Sequence, residues 1–509
     1  MSHWIVAPII LPSLLAPFIV LALRHDLTLQ RVASIAGTVA LLAISLALMW
    51  AASSGEIEVY ELGNWPAPFG IVMVLDRLSA LMLVVTSVLA LGVLLYAVGS
   101  GWDARGWHFH ALFQFQLMGL TGAFLTGDAF NLFVFFEVLL IASYGLMIHS
   151  GGTERLRAGV QYVVFNLGGS TLFLFALATL YGMTGTLNMA DMAVKVAELP
   201  EGDQALVRVG AVLLLIVFCV KAALVPLHFW LPGTYANAPA PVAALFAIMT
   251  KVGVYAILRF YTLVVGPENP ATGTLIGEWL MPAALITVAL GMIGVLGAGS
   301  LARLAAFATV GSVGTLLVAV ALFTPQATVA ALYYMIHSTF AAAALFLVAD
   351  LVQERRVGGG ALSAAPPIVG NGLIASLFFA AAIGMTGMPP LSGFIGKLLV
   401  LDAAREAHLV WVIWATVIVT SLIAVVGFAR AGSTVFWKAH AVEAHTDAAP
   451  GAGPADGLSL TATVALISTL VLLAVFGGVL SSYLEATAAQ LFAPQAYIEA
   501  VLGTQGDMP

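Results

Sequence analysis

Long apolar runs, separated by short polar breaks, make up most of the chain. A membrane-spanning helix needs about 20 apolar residues, and most of the runs approach that length. The runs are continuous rather than alternating, which excludes a membrane β-barrel. We therefore predict an all-α, polytopic membrane protein. Its fourteen predicted spans, the twelfth interrupted, cover residues 4–23, 31–51, 77–98, 109–126, 130–148, 160–181, 207–228, 241–262, 274–296, 301–322, 328–350, 370–403, 410–431 and 458–483.

The composition agrees with this class. Of 509 residues, 61% are hydrophobic and 8% are charged, whereas about 25% are charged in soluble domains. This excludes a soluble enzyme and a disordered protein, and a net charge of −7 offers no basic surface for nucleic acid. Cys219 is the only cysteine, so no disulfide within the chain and no thiolate metal site is expected.

The sequence contains no phosphate-binding loop, dinucleotide fingerprint, HExxH or CxxC string. We therefore predict no cofactor and no metal. Any pumping by this chain then has to be driven by an ion gradient or by another subunit.

Basic residues predict the orientation. No Lys or Arg precedes the first apolar run and Arg24 follows it, so we expect a retained span rather than a cleaved signal. Excess Lys and Arg mark cytoplasmic loops, which places both termini outside a bacterial inner membrane. The loops after spans 1, 3, 5, 9, 11 and 13 hold ten such residues, and the opposite loops hold five: Arg77, Lys195, Arg208, Arg259 and Arg405.

Two spans are broken by proline, which removes a helix donor. Four prolines follow Lys221 of span seven, at positions 226, 232, 239 and 241, and in span twelve Pro389 and Pro390 precede Lys397. Broken helices at matching places in two halves are typical of a transport site, so spans 4–8 and 9–13 are predicted to be inverted five-helix repeats. The predicted regions are 1–108 (spans 1–3), 109–262 (first repeat), 263–431 (second repeat), 432–457 (a cytoplasmic loop) and 458–509 (span 14 and an external tail).

Five ionisable side chains fall inside apolar runs: Glu137, Lys221, Lys251, His337 and Lys397. A charge at the bilayer centre costs about 2.5–3.5 kcal/mol or more, and such residues mark ion and proton pathways. We interpret the five as a candidate proton path, with Glu137 and Lys221 as an ion pair.

Each of these residues also has a structural interpretation. The Glu137–Lys221 pair would then only join two helices, and His337 would be a satisfied core histidine. Lys251 would reach the interface along its own stem, and Lys397 would face a water pocket. Two further acids, Asp76 and Asp128, stand at span ends and are interpreted as interfacial.

Three strings carry a resemblance to a known family. They are FFEVLLIASYGL around Glu137, residues 221–259 (KAALVPLHFWLPGTYANAPAPVAALFAIMTKVGVYAILR), and GMPPLSGFIGK ending at Lys397. Spans 3–13 resemble the proton-translocating subunits shared by Mrp-type cation/proton antiporters and respiratory complex I. The resemblance implies that Glu137, Lys221, Lys251 and Lys397 form the proton path. It also implies that the chain works with partner subunits and that protons and a monovalent cation are transported, with Na⁺ as the first candidate.

Details of the strings favour one branch of the family. The turn at residues 230–234 and the approach to Lys251 at residues 246–250 are more similar to the D-type subunit of the antiporter than to complex I. Many relatives carry a lysine four residues after the span-eleven histidine, where this chain has Ala341. The relay between Lys251 and Lys397 is therefore expected to rest on His337 and water.

Three functions remain open from the sequence. The first is a subunit of a secondary Na⁺(K⁺)/H⁺ antiporter, which is not an enzyme. The second is a proton-pumping membrane subunit of a complex I-like NADH dehydrogenase or a membrane hydrogenase. The third is a structural subunit whose charges only pair. Because Glu137 is the only mid-span acid, we expect the chain to move protons, with the cation route elsewhere or at an interface.

Overall fold

A computed structural model describes residues 2–200, 204–266, 272–442 and 455–503. The first half of the chain forms α1 (Ala7–Ala22), α2 (Leu27–Ala52), α3 (Arg77–Gly99), α4 (Phe109–Leu125), α5 (Ala129–Met147), α6 (Thr153–Thr184), α7 (Met189–Glu198), α8 (Gln204–Ala222), α9 (Trp230–Asn237), α10 (Ala240–Leu245) and α11 (Met249–Leu263). The second half forms α12 (Met281–Gly297), α13 (Leu301–Leu322), α14 (Pro325–Gln353), α15 (Asn371–Thr386), α16 (Ser392–Ala403), α17 (Val410–Gly432), α18 (Gly457–Val475), α19 (Gly477–Leu491) and α20 (Pro494–Leu502).

The predicted helical membrane architecture is confirmed. In the described ranges, eleven helical stretches are long and apolar enough to cross a membrane, and α1 and α15 are shorter apolar helices. Each predicted span coincides with one or two of the helices. The number of fourteen crossings and the region boundaries stay predictions. Residues 443–454 of the predicted cytoplasmic loop lie outside the described residues.

One end of the bundle carries a small hairpin that the sequence did not predict. Strands β1 (Glu58–Glu61) and β2 (Val72–Leu75) pair antiparallel, with Glu58 opposite Leu75. The loop before α3 thus forms a short sheet rather than a simple connection. The same end holds the amphipathic helix α7, the start of α3, the end of α11 and the C-terminal α20. We call it the hairpin end.

Both predicted helix breaks are present. Span seven splits into α8 and α9, with Ala223 in the left-handed region (φ 58°) directly after α8. Span twelve splits into α15 and α16, with Gly387 left-handed (φ 77°) at the break. The prolines between the halves cannot donate the bonds that a continuous helix needs.

Span eight contains a further distortion that the sequence did not predict. Between α10 and α11 the backbone bonds are three residues apart, with Met249 N donating to Phe246 O and Lys251 N donating to Ile248 O, both at 3.0 Å. Such a tightened turn inside a helix often marks a functional hinge. Here it lies directly before Lys251.

The two predicted repeats show matching helix contacts. The α4–α5 contact corresponds to α12–α13, and the contacts of α6 with α8 and α9 correspond to those of α14 with α15 and α16. The inverted relation between the repeats stays a prediction. At the centre of the bundle α10, α11, α13 and α14 are almost fully buried, so polar side chains on them are withdrawn from lipid and solvent.

Candidate proton path

Glu137 lies at the outer surface of the chain. It is half-buried on α5, and its helix face includes Val134 and Ile141, which are 37% and 65% exposed. Its carboxylate accepts a hydrogen bond from the Ser170 hydroxyl on α6. The acid therefore stands where a lipid or a neighbouring chain would face it.

The predicted ion pair of Glu137 with Lys221 is not formed. Both residues are described, and no nitrogen–oxygen contact within 4.0 Å joins them. Instead the Lys221 ammonium donates to Oδ1 of Asn166 at 3.1 Å and lies 5.9 Å from the centre of the Phe136 ring. Asn166 and Ser170 are four residues apart on α6 and so share a face. Helix α6 thus bridges the acid and the lysine.

This bridge was not predicted from the sequence. Asn166 and Ser170 are two polar residues at helical spacing in an apolar run (NLGGS), which is the pattern that would have identified them. An amide and a hydroxyl both donate and accept hydrogen bonds. They connect two ionisable groups without adding a charge to the membrane interior.

Lys221 and Lys251 belong to helices in close contact. A Cβ added at Gly253 of α11 would lie 2.6 Å from the Phe218 carbonyl oxygen and 3.1 Å from Cβ of Lys221. A small cavity beside them, with room for about one water molecule, is lined by Phe136, Leu139, Leu140, Tyr162, Asn166, Lys221, Trp230, Met249 and Val252. Met249 and Val252 lie on either side of Lys251 in the chain, so the cavity borders both Lys221 and the segment that carries Lys251.

Lys251 is fully buried, and among the described residues its ammonium nitrogen has no hydrogen-bond partner. An isolated buried ammonium is strongly unfavourable unless water solvates it or its proton leaves. This side chain is therefore the least satisfied of the five. The interpretation of Lys251 as a lysine that reaches the interface does not fit its burial.

Buried hydroxyls lie on the helix that contacts those of Lys251 and His337. Helix α13 contacts both α11 and α14. It carries Thr309, Ser312 and Thr315, each at most 1% exposed, and the Ser312 hydroxyl donates to the Tyr334 hydroxyl at 3.3 Å. This row was not predicted from the sequence either, although its three-residue spacing places the hydroxyls on adjacent positions of one face.

His337 is buried on α14 and contacts α16. Its Nδ1 is 2.8 Å from Oγ of Ser392, and its Nε2 has no partner among the described residues. A Cβ at Gly393 would lie 2.9 Å from Cε1 and Nε2 of the ring. Glycine at that position therefore lets the ring approach the start of α16. The interpretation as a fully satisfied core histidine does not fit the free Nε2.

Lys397 lies on α16, and its side chain reaches back to the break of span twelve. Its ammonium donates to the Thr386 carbonyl at 2.8 Å and to the Ser421 hydroxyl at 2.7 Å. Thr386 ends α15, and the carbonyl end of a helix favours a positive charge. Lys221 lies in the last turn of its own helix, α8. Both broken helices thus bring a lysine to a helix C-terminus.

The five predicted residues lie on helices that contact one another in order. The sequence of contacts runs from α5 through α6, α8, α11, α13 and α14 to α16. The hydrogen bonds of these side chains span only part of the distance from each helix to the next. All five residues are described, and no direct charge pair joins any two of them, so a proton path through them would need water between them.

Asp76 and Asp128 are not solvent-facing interfacial residues. Each caps a helix: Asp76 accepts from Ser79 N at 2.8 Å, and Asp128 accepts from Asn131 N at 2.7 Å. Asp76 is also bound by Arg259, at 2.6 and 2.8 Å. The prediction that Arg259 lies in a loop is wrong, because it is buried inside α11. Long-range pairing of this kind is not visible in a sequence.

The end opposite the hairpin holds two more buried acids. Asp103 binds Arg31 at 2.6 Å and His110 at 3.1 Å. Burial alone raises the pKa of the Asp103 carboxyl, but the bonds from His110 and Arg31 outweigh burial and hold this pKa below its usual range. Asp350, at the end of α14, accepts from the Tyr96 hydroxyl at 2.8 Å and from Trp102 Nε1 at 2.9 Å.

Comparisons with known proteins agree with this arrangement. The transmembrane family model described as NADH:quinone oxidoreductase/Mrp antiporter matches residues 126–424. A probable K⁺/H⁺ antiporter D-type subunit of Rhizobium meliloti is 39% identical over 99% of this chain and 98% of its own length. A Na⁺/H⁺ antiporter D-type subunit of Alkalihalophilus pseudofirmus is 36% identical over 99% of this chain and 100% of its own length.

A solved structure shows the same fold. A chain of the Mrp complex from a Dietzia species superposes with a TM-score of 0.88 at 29% identity, over 99% of this chain and 100% of that one. The resemblance drawn from the three strings is therefore confirmed. The chain belongs to the NADH:quinone oxidoreductase/Mrp antiporter family of membrane proteins.

Proposed function

We propose that this chain is the proton-translocating subunit of a multi-subunit Na⁺(K⁺)/H⁺ antiporter. It passes protons through Glu137, Lys221, Lys251, His337 and Lys397 to drive cation efflux. The observation that carries the proposal is the series of contacting helices that holds these five side chains inside the bundle. The relatives named as D-type antiporter subunits support it.

Protons move in this proposal by changing the charge of neighbouring groups in turn. When the Lys251 ammonium gives a proton to a water molecule, a neutral amine remains. This amine needs no counter-charge from a neighbouring side chain. Two unit charges about 10 Å apart interact by about 1.7 kcal/mol at an effective dielectric constant of about 20. Each transfer therefore alters the protonation of the next group without requiring direct contact.

The cation takes a separate route. Among the described residues, no three His, Cys, Asp or Glu side chains come together as ion ligands, and Glu137 is the only acid near the middle of a predicted span. We place the cation at an interface with partner subunits. The exposed face of α5 around Glu137 is apolar, with Phe130, Val134 and Ile141, and suits such a contact.

The same proposal gives the orientation. Arg31, Arg105 and Arg155 lie at the end opposite the hairpin, and cytoplasmic ends carry the excess of basic residues. With Arg259 buried rather than in a loop, this bias becomes stronger. We place the hairpin end and both termini outside a bacterial inner membrane.

The alternative is a proton-pumping subunit of a complex I-like enzyme, and it is less well supported because the two curated relatives above are named as antiporter subunits. Inverted vesicles that contain the whole complex distinguish the two functions. Addition of Na⁺ or K⁺ without NADH should move protons in an antiporter. Proton movement only on addition of NADH would overturn the proposal.

His337→Ala tests the part of the path that Ala341 leaves without a second charge. We expect cation-driven proton movement to stop, because alanine at position 341 offers no ionisable side chain one turn away to replace the imidazole. The matched control is Ser338→Ala, whose hydroxyl only donates to the Met335 carbonyl of its own helix. A His337→Ala profile that overlays the wild type from pH 6 to 9 would show that water alone connects Lys251 with Lys397.

A further inference from the structure

One face of α11 continues from Lys251 toward the hairpin end. Lys251, Tyr255 and Arg259 follow one another at intervals of four residues, which places them on the same side of the helix. All three are buried. The Tyr255 hydroxyl donates to the Phe124 carbonyl at 2.7 Å and lies 3.5 Å from Nη2 of Arg259. A row of polar side chains therefore runs from Lys251, the least satisfied group of the path, to the hairpin end of the bundle.

The line ends under the C-terminal helix. Helix α20 packs on α7, α19 and β1 and carries Tyr497, which is 4% exposed. The Tyr497 ring centre lies 5.2 Å from Cζ of Arg259. A cation over the face of an aromatic ring at this distance is attracted to it. Arg259, itself held by Asp76, thereby fixes the position of the Tyr497 ring.

The hydroxyl of Tyr497 has no hydrogen-bond partner among the described residues. A buried polar group left in this way costs about 1–3 kcal/mol, and tyrosine hydroxyls usually find a partner when they are buried. Its close surroundings include Gly127, where an added Cβ would lie 3.1 Å from the hydroxyl oxygen. A phenylalanine would fill the same space without this cost. The hydroxyl therefore points to a partner that is not a protein group.

We propose that the Tyr497 hydroxyl positions the water through which the proton path exchanges protons with solution at the hairpin end. This inference rests on the proposed function. In the direction that drives cation efflux, the water accepts a proton from the external solution and passes one toward Lys251, so neither it nor Tyr497 changes its net charge. Tyr255 and the Asp76–Arg259 pair line this inlet, and α20 covers it.

Tyr497→Phe tests the inference because it removes only the hydroxyl. No bond to a described protein group is broken, so stability should not fall, whereas a structural role of the hydroxyl would show as a lower melting temperature. We expect cation-driven proton movement in inverted vesicles to fall at least tenfold, while the melting temperature and the co-purified subunits stay unchanged. Unchanged exchange, or a fall in exchange accompanied by a lower melting temperature, would overturn the inference.

Tyr483→Phe is the matched control at the same end of the bundle. The Tyr483 hydroxyl donates to the Arg77 carbonyl at 2.9 Å, so its removal should lower the melting temperature and leave exchange intact. Lys251→Met, measured in parallel, separates the two proposals. If Lys251→Met stops exchange and Tyr497→Phe does not, only the proposed inlet is wrong. If Lys251→Met leaves exchange intact, the proposed function itself is wrong.

Discussion

Asn166→Leu removes the hydrogen-bond acceptor of the Lys221 ammonium at nearly constant side-chain volume. The two atoms are 3.1 Å apart in a buried site. A hydrogen bond to a charged group contributes about 1.5–3 kcal/mol. Because about 1.4 kcal/mol corresponds to a factor of ten, the protonated form of Lys221 should be disfavoured about 10- to 150-fold. Its neutral form loses far less.

The expected result is a shift of the pH profile. Lys221 that holds its proton less tightly needs a higher proton concentration to become protonated. Exchange by Asn166→Leu should therefore fall at pH 8 and recover about 1–2 pH units lower. Asn166→Asp, which places a carboxylate beside the lysine, should shift the profile in the opposite direction. The measurement is cation-driven dequenching of a pH dye in inverted vesicles between pH 6 and 9.

Thr171→Val is the control on the same helix. Thr171 is exposed, and its hydroxyl donates only to the Leu167 carbonyl one turn earlier, so its profile should match the wild type. An Asn166→Leu profile that overlays the wild type, with the subunit assembled normally, would refute the reasoning. Lys221 would then not depend on α6 for its charge.

Three further predictions test other parts of the molecule. Gly387→Ala should stop exchange, because a Cβ there would lie 2.6 Å from Cδ of Lys397. The control Gly370→Ala changes an equally left-handed residue (φ 74°) with no atom within 4 Å of the added Cβ, so it should only reduce the melting temperature. Equal exchange in both variants would contradict this prediction. Asp103→Asn should cost about 3 kcal/mol of stability, as expected when a buried ion pair loses one partner. Since the pKa of Asp103 is lowered in the folded state, this difference should be constant between about pH 5 and 7 and shrink only in stronger acid; a difference that changes near pH 6 would point to another group. Glu137→Gln should abolish exchange without preventing assembly, and Glu137→Asp should keep part of it; vesicle assays that show near-normal exchange with the glutamine would remove Glu137 from the path.

The apolar pattern predicted the class and the helices because a bilayer demands long apolar helices whatever their partners are. The two helix breaks were predicted because proline lacks the backbone donor that a continuous helix needs, which is a local property of the sequence. The β1–β2 hairpin and the amphipathic α7 were missed because their elements are short and their stability depends on packing at one end of the bundle. The tightened turn before Lys251 was missed because no proline or glycine marks it.

The five ionisable residues were identified from the sequence because charges stand out in an apolar run. Their connections were not, since a sequence does not show which helix lies between two groups. Asn166 and Ser170 are ordinary polar residues until α6 places them between Glu137 and Lys221. Likewise Asp76 was interpreted as interfacial because its partner Arg259 is 183 positions away.

The central claim is that buried ionisable groups of this chain carry protons, and Lys251→Met tests it most directly. Methionine has a similar length, and the lysine ammonium has no hydrogen-bond partner among the described residues, so stability should be kept or raised. The measurement is Na⁺- or K⁺-driven proton movement by the purified whole complex in liposomes. We predict no exchange from a fully assembled, equally stable complex. Exchange at the wild-type rate would contradict the account.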